Sequence, residues 1–88
     1  MSLFNVYPLF DITPVKGDDV YVYDENEVRY LDLYGGHAVI SIGHSHPTYV
    51  KKVGEQLEKL GFYSNSIQNP LQIELAKKLQ QVSGCNFY

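Results

Sequence analysis

Cysteine, tryptophan and long apolar runs are scarce in this sequence: its 88 residues hold one cysteine, Cys85, and no tryptophan. A single cysteine excludes an internal disulfide, and nothing around it points to an oxidising compartment. No apolar stretch approaches the roughly 20 residues needed to cross a bilayer, so no membrane partner is expected. Met1-Ser2-Leu3-Phe4-Asn5 lacks a basic region followed by an apolar run, so no signal peptide is read there and a cytoplasmic location is the expectation. A strong charge of one sign is missing too. Seven basic against ten acidic residues give a formal net charge of -3, which argues against a nucleic-acid backbone as partner. Lys51, Lys52, Lys59, Lys77 and Lys78 are interleaved with acids and read as solvated helix faces. The length suffices for one small domain, whose surface burial is marginal.

What the chain has in excess is aromatic side chains. Eight tyrosines and four phenylalanines exceed what so small a core needs. Tyr7, Tyr21, Tyr23, Tyr30, Tyr34, Tyr49, Tyr63 and Tyr88 each carry large apolar area and a hydroxyl that wants a partner. Much of this surface is expected to be covered by further protein or by a second subunit.

Residues 1–16 contain no long periodic run, and Pro8 and Pro14 interrupt any helix. Leu3, Phe4, Val6, Leu9, Phe10 and Ile12 make this segment an N-terminal arm suited to docking. Residues 17–46 read as a small antiparallel sheet and a glycine-rich bend. Gly17-Asp18-Asp19 is a turn, and Val20–Tyr23 and Val28–Leu33 flank the polar Asp24-Glu25-Asn26-Glu27 as a β-hairpin. Ala38–Ile42 offers a third extended piece, giving a two-stranded ribbon or a three-stranded sheet. Gly35, Gly36 and Gly43 permit backbone angles that a Cβ would disfavour. Pro47 fits the first turn of a helix.

Residues 47–88 read as helix-loop-helix. Val50, Val53, Leu57 and Leu60 form an apolar stripe at helical spacing, stopped by Gly61. Gly54 inside that helix marks a close approach to a neighbour. Phe62–Gln68 is an irregular loop of the kind that often carries function. Asn69-Pro70 then caps a second helix, whose stripe is Leu71, Leu75, Leu79 and Val82, and Gly84 closes it. Phe87 and Tyr88 leave aromatic side chains at a raw end, so the segment is expected to be the front of something larger. The fold class is α/β, an α+β segment of arm, small sheet and two helices.

No self-contained active site emerges, and no residue is assigned a catalytic role. His44 and His46 would need a third ligand for zinc, and nothing in the spacing supplies one, so no metal is expected. Their expected role is structural, at the bend formed by Gly35, Gly36, Gly43, His44, His46 and Pro47. His37, directly after the glycine pair, is the candidate for touching a ligand. The glycines match neither the dinucleotide fingerprint nor the phosphate-binding loop. Asp24, Glu25, Glu27 and Asp32 sit on a turn and an edge with no apolar pocket around them. Cys85, Ser64 and Ser66 lack a partner base, and Lys16 reads as solvated.

The segments Pro14-Val-Lys-Gly17, Val22-Tyr-Asp-Glu-Asn26, Tyr30-Leu-Asp-Leu-Tyr-Gly-Gly36, Ala38-Val39 and Gly43-His-Ser-His-Pro47 resemble the N-terminal segment of class III aminotransferases. Val6-Tyr7, Ile12–Gly17 and Gly35-Gly36-His-Ala-Val39 look most like the acylornithine enzymes of that class. The resemblance covers roughly residues 4–88. It implies the front part of a fold-type I transferase dependent on pyridoxal 5'-phosphate, with a large cofactor domain and a second identical subunit as partners. The implied reaction moves an amino group between N-acetyl- or N-succinylornithine and 2-oxoglutarate in arginine biosynthesis. It also implies that Tyr7, His37 and Tyr63 bind substrate: Tyr7 near its carboxylate, His37 facing it and Tyr63 at the site entrance. The cofactor-binding residues would all lie outside this chain, so the 88 residues alone are expected to bind no cofactor and to be inactive. Ornithine and 4-aminobutyrate transaminases share the glycine-histidine-proline segment and remain alternatives, as does a free-standing, non-catalytic interaction module.

Overall fold

The computed structural model describes residues 2–86. The expectation placed on Phe87 and Tyr88 lies outside the described residues. Elements follow in the order β1 (Pro14–Asp18), β2 (Tyr21–Asp24), β3 (Arg29–Leu31), α1 (Gly35–Ala38), α2 (Pro47–Lys59) and α3 (Pro70–Ser83). The chain divides into two compact units between Gln56 and Leu57.

In the first unit the three strands form one antiparallel sheet in the order β1-β2-β3. The centre is β2, whose Tyr-Val-Tyr run suits a pleated, half-covered surface. Lys16, Gly17 and Asp18 lie opposite Tyr23, Val22 and Tyr21, and the register slips between Pro14 and Lys16. Pro14 has no N–H to give a ladder, which confines it to the start of the strand. On the other side, Leu31, Tyr30 and Arg29 lie opposite Tyr21, Val22 and Tyr23. Lys16 reaches over the Tyr23 ring at 5.2 Å and Arg29 over the Tyr21 ring at 4.5 Å, so one face carries cations on tyrosines.

The β2–β3 connection is held by Asp24. Its Oδ1 accepts from the N–H groups of Asn26 and Val28, both at 2.9 Å, and its Oδ2 accepts from the Tyr30 hydroxyl at 3.0 Å. Glu27 closes the loop at φ 64, a position where glycine is commoner. These bonds lower the Asp24 carboxyl below 3.8, the Val28 N–H contributing most, and raise the Tyr30 hydroxyl above 10.0.

Two sequence expectations are corrected. Gly17 and Asp18 belong to a strand, and the chain turns at Asp19 (φ 53) and Val20. Ala38–Ile42 adds no strand. Ala38 lies in a helical turn and the Ile40 N–H is bonded to the Gly35 carbonyl at 3.0 Å, so the third strand is β1.

Helix α2 starts at Pro47 and ends at Lys59, just before Gly61. A Cβ on Gly54 would meet nothing within 4 Å, so the close approach expected there is not made by any described residue. In the second unit Asn69 caps α3, its Oδ1 accepting from the Leu71 N–H at 3.0 Å, with Pro70 in the first turn. Gly84 (φ 73) closes the helix by donating its N–H to the Gln80 carbonyl.

Neither unit encloses an apolar core: among the described residues no hydrophobic side chain is buried. The half-buried residues of the first unit are mainly β2 with Gly17, Asp32, Gly35, Gly43 and His44. The best-covered part of that unit is therefore the central strand β2 and the junction of Gly17, Asp32, Gly43 and His44.

Candidate substrate-facing bend

The bend begins where β3 stops. The Asp32 N–H donates to the Val20 carbonyl at 2.8 Å, which returns the chain to the β1–β2 corner. The Asp32 side chain then serves two masters. Its Oδ1 accepts from the N–H groups of Tyr34 at 3.1 Å and Gly35 at 2.8 Å, while its Oδ2 accepts from the His44 ring Nε2 at 2.6 Å. The side chains are 13% and 21% exposed, respectively. These contacts hold the Asp32 carboxyl below its ordinary 3.8, the Gly35 N–H first and the His44 ring second.

His44 is anchored through its main chain as well. Its N–H donates to the Asp19 carbonyl at 2.8 Å, and its carbonyl accepts from the Asp19 N–H at 3.0 Å. This reciprocal pair presses two backbones together where only glycine leaves room. A Cβ on Gly17 would lie 2.6 Å from the His44 Cβ, and one on Gly43 (φ 87) 2.7 Å from the Asp19 Oδ1.

Between the Asp32 and His44 anchors stands α1, a single turn wound left-handed. Gly35, Gly36, His37 and Ala38 have φ of 62, 60, 58 and 59. Ala38 donates its N–H to the Tyr34 carbonyl at 3.1 Å and Val39 to Gly35 at 3.0 Å. Left-handed helix costs about 1–2 kcal/mol at each residue bearing a Cβ, here His37 and Ala38. His37 is exposed and meets the Tyr34 ring edge-on, with centroids 5.0 Å apart.

The other residues singled out from the sequence are placed as follows. Tyr7 stands exposed on the arm, where Asn5, Val6, Tyr7, Pro8 and Leu9 line a shallow hollow. His46 gives its carbonyl to the Val50 N–H at the start of α2, in the turn that holds Pro47. Tyr63 lies exposed in the second unit, in a loop where the Ser64 hydroxyl accepts from the Ser66 N–H. Sequence reasoning missed Asp32 as the organiser of the bend. Its signal is an aspartate two residues before a Tyr-Gly-Gly run, the spacing at which a carboxylate caps following N–H groups.

Several groups that could hold a phosphate are already engaged among the described residues. Lys16 lies over a tyrosine, Lys51 and Lys78 pair with Glu55 and Glu74, and the Tyr34 and Gly35 N–H groups are taken by Asp32. Among the described residues, no three His, Cys, Asp or Glu side chains come together as a metal site, and no helix is long and apolar enough to cross a membrane.

Comparison with known proteins supplies what the geometry alone does not. The family described as aminotransferase class-III matches residues 5–86. The acetylornithine aminotransferase of Archaeoglobus fulgidus is 48% identical over 69 residues, 78% of this chain and 18% of that protein. That of Aquifex aeolicus is 44% identical over 77 residues, 88% of this chain and 20% of that protein. The crystal structure of acetylornithine aminotransferase from Elizabethkingia anophelis superposes with a TM-score of 0.89 at 26% identity, over 96% of this chain and 22% of that one. Ornithine delta-aminotransferase of Plasmodium falciparum shares the fold, with a TM-score of 0.89 at 23% identity over 96% of this chain and 22% of that one. The chain thus spans about a fifth of the length of these relatives. Its three-stranded antiparallel sheet and helices match the N-terminal part of their fold, and the chain belongs to the class-III aminotransferases.

Proposed function

We propose that this chain forms the N-terminal part of an aminotransferase that moves an amino group between an N-acylornithine, acetyl or succinyl, and 2-oxoglutarate, within arginine biosynthesis. The observation that carries the reading is the 44–48% identity to acetylornithine aminotransferases over most of the chain. The uncovered apolar faces support it, because they suit a segment packed against further protein and against a second identical subunit.

In this reading the arm, the small sheet and the bend, residues 1–46, shape the substrate pocket, and residues 47–88 lead into a large domain that holds pyridoxal 5'-phosphate. The lysine and phosphate-binding groups for that cofactor are supplied from outside this chain, so the 88 residues alone turn over no substrate. Tyr7 lies near the substrate carboxylate, His37 faces the acyl group and Tyr63 borders the entrance. A histidine at position 37 can donate a hydrogen bond to a longer, charged acyl tail, which favours succinylornithine.

The test is amino transfer by the full-length protein, with N-acetylornithine, N-succinylornithine, ornithine and 4-aminobutyrate as competing donors. The acylated donors should give the highest kcat/KM. Preference for ornithine or 4-aminobutyrate would overturn the substrate assignment. His37→Ile should lower the succinyl-to-acetyl ratio of kcat/KM by about tenfold, the loss expected for one charge-assisted hydrogen bond. An unchanged ratio would sink the role given to His37.

A further inference from the structure

We infer that Asp32 is a positioning residue for substrate recognition: through Tyr34, Gly35 and His44 it holds the left-handed turn that presents His37. The inference rests on the proposed reading of His37 as substrate-facing, and it names what aims that side chain.

Three observations converge on Asp32. First, its Oδ1 takes the N–H groups of Tyr34 and Gly35, the two residues at the root of α1. Tyr34 in turn accepts the Ala38 N–H and sets its ring edge-on to His37. Asp32 thereby fixes both the main chain of the turn and the ring that His37 leans on. Second, its Oδ2 is bonded to His44, whose main chain is paired in both directions with Asp19 at the β1–β2 corner. Gly17 and Gly43 lie so close to this junction that an added Cβ would collide with His44 or Asp19. The carboxylate is therefore the link between an exposed turn and the best-covered part of the unit. Third, the turn needs such a link. His37 and Ala38 are held in a left-handed conformation that residues with a Cβ disfavour, and such residues persist only where their surroundings over-determine them. Without Asp32, the four residues between Tyr34 and Val39 would be free to unwind, and His37 would sample many directions.

A hydrogen bond made equally in ground and transition states changes KM and leaves kcat alone. Loss of folded protein does the reverse: it lowers apparent kcat and leaves KM in place. Steady-state kinetics of the full-length enzyme with the better acylated donor and 2-oxoglutarate separates the two. Asp32→Ala should raise KM for the donor about tenfold with kcat within about twofold. Asp32→Asn should bring KM back to within about threefold of wild type, because its amide oxygen still accepts from Tyr34 and Gly35. His37→Ala should raise KM by a similar factor, and the Asp32→Ala/His37→Ala double variant should match His37→Ala alone, since one effect acts through the other. If His37→Ala leaves KM unchanged, the substrate-facing reading and this inference fall together. If His37→Ala raises KM while Asp32→Ala does not, or the two factors multiply in the double variant, only the role of Asp32 is overturned. Should Asp32→Ala fail to fold, Asp32→Ser takes its place, because a hydroxyl cannot reach both N–H groups and the His44 ring; the same outcomes then decide.

Discussion

At the level of single residues, two glycines and one carboxylate determine whether the bend can form. A methyl group on Gly17 would sit 2.6 Å from the His44 Cβ, and the crossing backbone leaves it nowhere to go. Gly17→Ala should destabilise the full-length protein by about 1–3 kcal/mol, the usual cost of overpacking, measured as a shift in the urea midpoint. Gly43→Ala should cost at least as much, because the new Cβ meets Asp19 and φ of 87 disfavours it besides. Asp32 gives this region a pH dependence of definite sign. Its carboxyl is lowered in the fold, so its contribution is complete above 3.8 and is lost as pH falls from there through the lower folded value. Wild type and Asp32→Asn should therefore run parallel between about pH 6 and pH 4 and converge below it, the wild type losing stability faster. Parallel curves down to pH 2 would show that the Asp32 contacts contribute nothing. Tyr30 acts at the other extreme: its hydroxyl is raised by the bond to Asp24, so that contribution is present below 10.0 and lost as pH rises through the higher folded value.

At the level of elements, what could be read from the sequence depended on how local its cause was. Both helices were legible because their signals lie within a few residues. Pro47 and Gly61 bracket α2, and Asn69, Pro70 and Gly84 bracket α3. The hairpin was legible for the same reason, since Asp24 bonds its own loop. Strand β1 was hidden because Pro14–Asp18 holds a proline, a glycine and two charged residues; it is a strand only because β2 pairs with it. The left-handed hand of α1 was hidden beyond its two glycines, because what holds His37 and Ala38 there comes from Asp32 and, twelve residues further on, His44. Caps are the cheapest test of the local account. Asn69→Ala removes the acceptor for the Leu71 N–H and should cost about 1 kcal/mol, read from thermal or urea unfolding of the full-length protein. Gly54→Ala should act oppositely, gaining up to about 1 kcal/mol, since its Cβ would point into open space on α2. A loss at that position would reveal a backbone from outside the described residues pressed against the helix.

For the whole molecule, the governing fact is that, among the described residues, no apolar side chain of the sheet, the arm or the two long helices is buried. Phe4 and Phe10 on the arm are 90% and 91% exposed, and Val50, Val53 and Leu57 on α2 are uncovered too. A soluble protein seldom leaves such surface bare unless something docks on it. The polar bonds described above set local geometry, but they cannot supply the apolar burial that dominates folding. Under the proposed assembly the helices are covered by the cofactor domain, and the arm reaches the second subunit, carrying Tyr7 with it. Fully burying a phenylalanine is worth about 1.5–3 kcal/mol, so the four of a homodimer, two on each arm, contribute roughly 6–12 kcal/mol to association. Phe4→Ser/Phe10→Ser should then raise the dimer Kd by about 10⁴ or more, measured by sedimentation equilibrium of the full-length protein. Because the same arm carries Tyr7, the variant should also lose activity at concentrations where it is monomeric and recover it as the concentration rises. Dissociation without loss of activity would place the arm outside the substrate site. An unchanged Kd would show that its phenylalanines are covered within one subunit.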